Sequence, residues 1–599
     1  MRNRVEYIDV IKAIAIIAVV LYHIGYMKYG YLGVDIFLVI NGFLLAKSFK
    51  ELSTFSGGGI FLVKRLLRLY PLTLLATGAC LLWGSYWMLP YQYQDLAQSV
   101  IATNFFANNI LMYIKSSNYW NVLNDYKPLM HTWYLGIIVQ FYVFFPIIVI
   151  LLKKFIRTKR NITAYIVGIC LLISLALYLH PAFSTSQKFY FLPFRIFEFC
   201  AGCLTAYWVA DRKIRFWGIK PIMVGIVISS YSLLFALLFI NSDYASASVK
   251  LLSVVVLSCI LLITLPYVGS FLDIITSNKW LAGIGKASFS IYIWHQIIFA
   301  FCRYSFTSVF DSKVFLITIL ITIILSLISY YYVEQFLSGY LRKENGIRNT
   351  LIGCLCTTSL LIGTSFFLNS RSGVIRDVPE LDTYVGKTSD RMHIAYNEGA
   401  FKYDKDYASS DKLHWAVIGD SFGRDFVNIL REMSIENQVE ITYIGIFKYH
   451  EPENIRRVKE SDLVFRTMSI AQFDYGNFYN YIDSIGFDRK KVVIVGSKCF
   501  GHSLGQVYAR RNQKNYYRIT MPIEDWYFIE NDKLAKKCHG HYIDLITPIR
   551  VSETDVRVFT DDYKIISQDC EHLTQNGAKL YAKLLRSSID KYIDTNMSR

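Results

Sequence analysis

This 599-residue chain has little charge: Asp, Glu, Lys and Arg make up 18% of it, against 53% apolar residues and a positive mean hydropathy. That balance excludes an ordinary soluble protein, and the length excludes a single domain. Long apolar runs recur up to about Leu368 and are then absent. The three cysteines beyond that point, Cys499, Cys538 and Cys570, form no CxxC and show no zinc spacing, so no metal site is expected. Spacing does not decide whether Cys538 and Cys570 pair in an oxidising compartment. The other eight cysteines read as small apolar residues of the membrane part. No small-residue cleavage site follows the first apolar run, so residues 1–24 are expected to be a retained span and not a cleaved signal.

A formal charge of +17 would suggest nucleic acid if it were spread evenly, but the basic residues cluster between apolar runs. No nucleic-acid partner is therefore expected, and membrane lipid is. A span needs roughly 20 apolar residues. On that measure helices are predicted near 8–26, 31–49, 66–88, 129–152, 162–180, 189–209, 218–240, 248–268, 286–306, 313–335 and 349–368. For the span containing Trp294 and His295, a partly re-entrant segment is the alternative. Eleven spans put the two ends on opposite sides. Arg2 and Arg4, Lys47 to Arg68, Lys153 to Arg160, Arg212 to Lys220, and Arg342 to Arg348 fall on one side, while loops 89–128, 181–188 and 241–247 hold few Lys or Arg. By the positive-inside rule the N-terminus is cytoplasmic and the C-terminal part lies outside.

The first helix, DVIKAIAIIAVVLYH over Asp9–His23, carries a polar stripe. Eleven residues bring Lys12 and His23 to within roughly 20° of one helix face, and Asp9 lies near it. Ionisable groups in hydrocarbon usually face a wet cavity or a bundle interior. The plainer reading is an interfacial Asp–Lys pair and a histidine bonded in a packing seam. GYLGVDIFLVINGFLL (30–45) adds Asp35, Asn41 and three glycines, consistent with close helix packing along a cavity. KRLLRLYP (64–71) spaces Arg65 and Arg68 three apart. Such a pair suits forked bonds to phosphate, or ordinary anchoring at the membrane edge.

After a charged tether near 370–410, strands are predicted at 414–421, 439–446, 461–468 and 490–496, with helices between them and one after Thr574. Alternation of this kind predicts a parallel sheet covered by helices, with active groups at the strands' carboxyl ends. GDS (419–421) ends the first strand, and DCEH (569–572) precedes the last helix. Ser421, His572 and Asp569 have the residue types of a nucleophile, its base and the base's orienting carboxylate. The plainer alternative makes Asp569 a helix cap and His572 a surface residue.

GDS after the first strand and DxxH before the last helix resemble the SGNH (GDSL-like) family of esterases and acetyltransferases. The resemblance implies catalytic roles for Ser421, Asp569 and His572, with the Ser421 amide and Gly445 as oxyanion donors. The segment after the third strand, Arg466–Ser469, lacks the family's Asn. YIDVIKAIAIIAVVLYH, GYLGVDIFLVINGF, KRLLRLYP, PLMHTWYLGIIVQFY, RIFEFCAG and GKASFSIYIWH, in that order, resemble the acyltransferase 3 family of membrane O-acyltransferases over residues 7–336. That resemblance makes His23 a catalytic residue of the membrane part. It places Lys12, Arg65, Arg68, His131, Trp133, Arg195 and Glu198 with the acyl donor or lining the module. Lys12 stands where the family usually has Arg, and Ile138 and Val139 where it usually has Glu.

The expected architecture is an acyltransferase 3 helical bundle over 1–340, a linking helix and tether over 341–410, and an SGNH-like α/β/α domain with a parallel sheet over 411–599. The expected function is transfer of an acyl group, most simply acetyl, from cytoplasmic acetyl-CoA to a hydroxyl of a surface glycan. The implied setting is the bacterial cytoplasmic membrane, and no bound cofactor is implied. A membrane-anchored esterase, or an exporter of an acylated solute, remains as an alternative.

Overall fold

The computed structural model describes residues 3–46, 55–116, 124–155, 162–211, 220–240, 245–268, 278–306, 310–371, 373, 392–409, 411–467, 475–501, 504–538 and 540–597. The basic residues Arg2, Lys47, Lys50, Arg160 and Arg212–Arg215, used above for orientation, lie outside the described residues, as do Ser469 and residues 374–391 of the predicted tether. The chain divides into two units, residues 1–86 with 92–369, and 87–91 with 370–599.

The first unit is helical. Among the described residues six helices are long and apolar enough to cross a membrane: Ser56–Trp87, Met130–Leu151, Ile222–Phe239, Ala247–Leu265, Ser312–Tyr340 and Gly346–Ser370. Gly30–Leu45, Thr163–Leu179 and Ile196–Val209 are apolar but shorter. Two further helices stand where spans are predicted but are more polar. Asn3–His23 carries Glu6, Asp9 and Lys12, and Ser288–Ser305 carries His295, Gln296 and Arg303. The run predicted over 189–209 is broken: a short helix Thr185–Tyr190 ends inside it, Pro193 holds a turn over Leu192–Phe194, and the longer helix starts at Ile196.

The stretch 89–128 contains helices Pro90–Asn104 and Asn108–Ser116. Its polar residues turn inward: Asn108 Nδ2 donates to Leu129 O (2.8 Å) and Asn109 Nδ2 to Tyr190 O (3.0 Å). Composition hid these helices because buried amides satisfied by backbone carbonyls read in sequence as surface residues.

Gly33–Leu45 and Ile196–Asp211 cross with their backbones almost touching. A Cβ on Gly42 would lie 1.9 Å from Phe199 O, and one on Gly202 would lie 1.9 Å from Val39 O. Each glycine admits the other helix's carbonyl, the small-residue crossing used where lipid offers no hydrophobic drive. Gly42→Ala therefore forces the helices apart. It is expected to cost about 2 kcal/mol or more, read as a lower melting temperature of the detergent-solubilised protein.

The second unit is built on a five-stranded parallel sheet in the order β2-β1-β3-β4-β6: β1 Leu413–Gly419, β2 Val439–Gly445, β3 Leu463–Thr467, β4 Val492–Val495 and β6 Tyr542–Ile543. The antiparallel pair β5 (Thr520–Pro522) and β7 (Asp555–Arg557) lies apart from it. Alternate residues of β1 face opposite sides. Trp415 and Val417 join a core with Phe426, Phe465 and Leu573, while Ala416 and Ile418 join another with Val464, Ile494 and Phe478. Cys570 belongs to the first core and Cys538 to the second, and both are free thiols. The sheet separates them, so the disulfide left open by spacing is not formed.

Candidate active site

β1 ends at Gly419, and Asp420 caps the helix Ser421–Glu432 by accepting the Phe422 N–H at 2.9 Å. Tyr443, from the neighbouring β2, donates its hydroxyl to Gly419 O (2.9 Å) and also lies 3.1 Å from Asp420 O, which fixes the turn. Ser421 thus stands at a strand's carboxyl end, where parallel sheets place their reactive groups.

The segment before the last helix, Gln575–Met597, brings the other two groups to it. His572 Nε2 lies 2.7 Å from Ser421 Oγ, and His572 Nδ1 lies 2.6 Å from Asp569 Oδ2. A carboxylate at Nδ1 assigns the proton there and leaves Nε2 to accept the Ser421 hydroxyl proton. Asp569 Oδ1 accepts the N–H groups of Glu571 (3.0 Å) and His572 (2.8 Å), so the carboxylate is itself held. Between Asp569 and His572, Cys570 adopts φ +73°, a conformation costly for a side chain and common where a site imposes geometry. Burial disfavours a charged His572, but the Asp569 carboxylate outweighs it and the imidazole pKa is raised. Neither plain alternative holds: His572 is 1% exposed, and the last helix is capped by Thr574, whose hydroxyl accepts the Gly577 N–H at 3.0 Å.

Gly445 ends β2 in register with Gly419, and the next residue, Ile446, donates its N–H to Gly419 O at 2.9 Å. At the end of β3 stands Arg466, its guanidinium over the rings of Tyr449 (5.5 Å) and Phe478 (4.8 Å). Burial lowers its pKa to about 10.

The helical unit contains a pocket lined by Lys12, Asn41, Arg65, Arg68, Tyr134, Ile138, Tyr142, Ser288 and Tyr292, among others. The three cations that the sequence singled out thus meet in one place. Lys12 also pairs with Asp9 at 3.0 Å, and Arg65 lies over the Phe61 and Tyr142 rings at 5.3 and 5.6 Å. Glu334, inside a π-helical turn over Tyr330–Gln335, accepts the Ser290 hydroxyl and faces Arg68 and Lys12. Such a turn often re-aims a side chain at a functional site.

His23 is not part of the cavity lining. Its ring lies 5.2 Å from that of His295, which is 5.3 Å from His131. Tyr292 joins the two places: it lines the cavity, its ring meets His131 at 5.0 Å, and its hydroxyl donates to His131 O. Arg303 Nη2 donates to His23 O at 2.6 Å. His295 was legible only as part of a motif, because nothing in sequence spacing ties it to His23.

Arg195 and Glu198 form a separate buried network. Arg195 Nη1 donates to Asp35 Oδ1 (2.6 Å) and Glu198 Oε1 (2.9 Å), with Trp133 and Phe189 against the guanidinium at 5.9 and 5.2 Å. None of Trp133, Arg195 and Glu198 lines the cavity. Asp35, 160 residues from Arg195 in sequence, is the partner that sequence reading did not supply. Among the described residues no group of three or more His, Cys, Asp or Glu is placed to hold a metal ion.

Residues 5–334 match the family described as "Acyltransferase domain" (Acyl_transf_3). The peptidoglycan O-acetyltransferase OatA of Listeria monocytogenes is 28% identical over 309 residues, 50% of this chain and 50% of that protein. The O-acetyltransferase OatA of Staphylococcus aureus is 27% identical over 379 residues, 59% of this chain and 62% of that one. The chain thus spans about half the length of the curated relatives it matches, and no solved structure matches it. With its apolar helices and a family match over more than half its length, the chain is a multi-pass membrane protein that belongs to the acyltransferase 3 family.

Proposed function

We propose that the chain transfers an acyl group, most simply acetyl, from acyl-CoA in the cytoplasm to hydroxyls of a cell-wall or other surface glycan. The observation that carries this reading is a serine–histidine–aspartate relay in a chain whose helical unit belongs to the acyltransferase 3 family. The cavity with Lys12, Arg65 and Arg68 suits the phosphates of coenzyme A, since guanidinium forks match phosphate oxygens. His23, with His295 and His131 beside it, takes part in the first transfer across the membrane. The N-terminus is cytoplasmic and the sheet unit lies outside, as the distribution of basic residues supports.

In the second transfer Ser421 Oγ gives its proton to His572 Nε2 and bonds to the acyl carbon. The departing group leaves with that proton, so the serine ester forms at neutral cost in charge. A sugar hydroxyl then loses its proton to the same nitrogen and attacks the ester, and the proton returns to Ser421. Asp569 holds the imidazole in the needed tautomer throughout. The Ser421 amide and Gly445 are the candidate oxyanion donors. Residues 411–599 constitute the SGNH-like module of this scheme, and the eleven spans complete its topology.

Ester-linked acyl groups on purified surface glycans distinguish the readings. They are expected to fall in a strain lacking the protein, and to fall equally with His23→Ala at unchanged protein level. A rise on deletion would identify a deacylating esterase instead, and unchanged acylation with His23→Ala would remove His23 from the reaction.

A further inference from the structure

One turn beyond Ser421 on the same helix is Asp425, a carboxylate with 1% exposure. Its Oδ1 accepts the Asn397 Nδ2–H at 2.6 Å, and its Oδ2 accepts the Leu573 N–H at 3.0 Å. Lys498 Nζ lies 2.8 Å from the same Oδ2. Lys498 follows β4 and is also 1% exposed, with its ammonium 3.7 Å from the centre of the Phe422 ring. That ring meets the His572 imidazole edge-on at 5.7 Å. Asn397 adds a bond to Ser421 O at 2.8 Å, and Phe500 N–H donates to Cys570 O at 2.8 Å. One buried ion pair therefore touches the three segments that meet at the serine: the Ser421 helix, the stretch after β4, and the loop carrying His572.

A full charge pair in a closed core is poor at stabilising a fold, since apolar side chains of similar volume do as well or better. Its place here fits a demand of the site. Asp425 fixes Leu573, the neighbour of His572, to the helix that begins at Ser421. The charges facing His572 are Asp569 and Glu571 from its own loop, Asp425 from the helix, and Lys498 from the segment after β4.

We propose that Asp425 and Lys498 are positioning residues for acyl transfer, holding the His572 segment against the Ser421 helix and setting the electric field at the imidazole. This rests on the reading of Ser421 as nucleophile. The sign of each charge gives the test. The base must be neutral to accept the serine proton, so the rate falls as pH drops through the imidazole pKa. Removing the Lys498 ammonium favours imidazolium and moves the acid limb of the profile up. Removing the Asp425 carboxylate moves it down.

The experiment is the pH dependence of kcat/KM for p-nitrophenyl acetate, with the full chain purified in detergent. Lys498→Met is expected to shift the acid limb upward, and Asp425→Asn downward, each by on the order of one pH unit. The double variant should fall between them, and Lys498→Arg should restore the wild-type limb. If Lys498→Met does not fold, the isosteric Asp425→Asn decides alone, since an unmoved limb there overturns the proposal. Loss of kcat in both variants with an unmoved limb would likewise leave only a structural role. Ser421→Ala in the same assay separates the two readings. Undiminished hydrolysis overturns the serine assignment and this proposal with it, whereas a serine-dependent activity with unmoved limbs overturns only the positioning role.

Discussion

Ser421→Ala is expected to lower acyl transfer to the glycan by roughly a thousandfold or more. The substitution removes one oxygen from a buried position and adds no volume, so protein level and melting temperature should stay close to wild type. What it removes is the atom that Nε2 of His572 faces at 2.7 Å, and with it the only place where the relay can hold an acyl group. His572 and Asp569 would remain poised, yet an imidazole and carboxylate without the hydroxyl form no serine ester. The check is ester-linked acyl content of surface glycan from cells carrying the variant at equal protein level. Full acylation would sink the serine role and return Ser421 to the status of a turn residue.

Arg195→Met is expected to have the largest effect on stability. It strips the guanidinium from Asp35 and Glu198, which are 2% and 0% exposed and both bonded to the same Nη1. Removing one partner of a buried charge pair costs about 3–5 kcal/mol, because the remaining charge has neither water nor counterion. Here two carboxylates would be left facing each other. The protein should accumulate poorly and melt well below wild type in detergent. Asp35→Asn with Glu198→Gln in the Arg195→Met background should recover part of the loss, because neutral amides tolerate burial better than paired anions. A wild-type melting temperature for Arg195→Met would mean that the network contributes nothing to the fold.

Both variants concern residues flagged from sequence, but they were legible to different depths. The three-residue step from Asp569 to His572 is local, so a carboxylate within reach of the imidazole follows from the chain itself. The strands predicted at 414–421, 439–446, 461–468 and 490–496 correspond to β1 through β4, since continuous apolar runs between helices have one common use in a parallel sheet. β6 was missed because two residues are too few to carry a pattern, and the β5 and β7 pair for the same reason. The polar stripe of the first helix was visible as a periodicity. The structure divides it: Lys12 faces the cavity with Arg65 and Arg68, and His23 stands among imidazoles beyond Tyr292.

The sequence by itself thus determined that the chain is a membrane helix bundle joined to a parallel-sheet unit. It also determined which side chains have the chemistry to act, because hydropathy, period and residue type are properties of short stretches. Only the tertiary structure decided the partners: Asp35 for Arg195, His295 for His23, Glu334 for the cationic cavity, and Lys498 with Asp425 behind the serine. These contacts join residues tens to hundreds of positions apart. Burial makes the charged pairs matter most, since a charge removed from water is costly unless the fold brings it a complement.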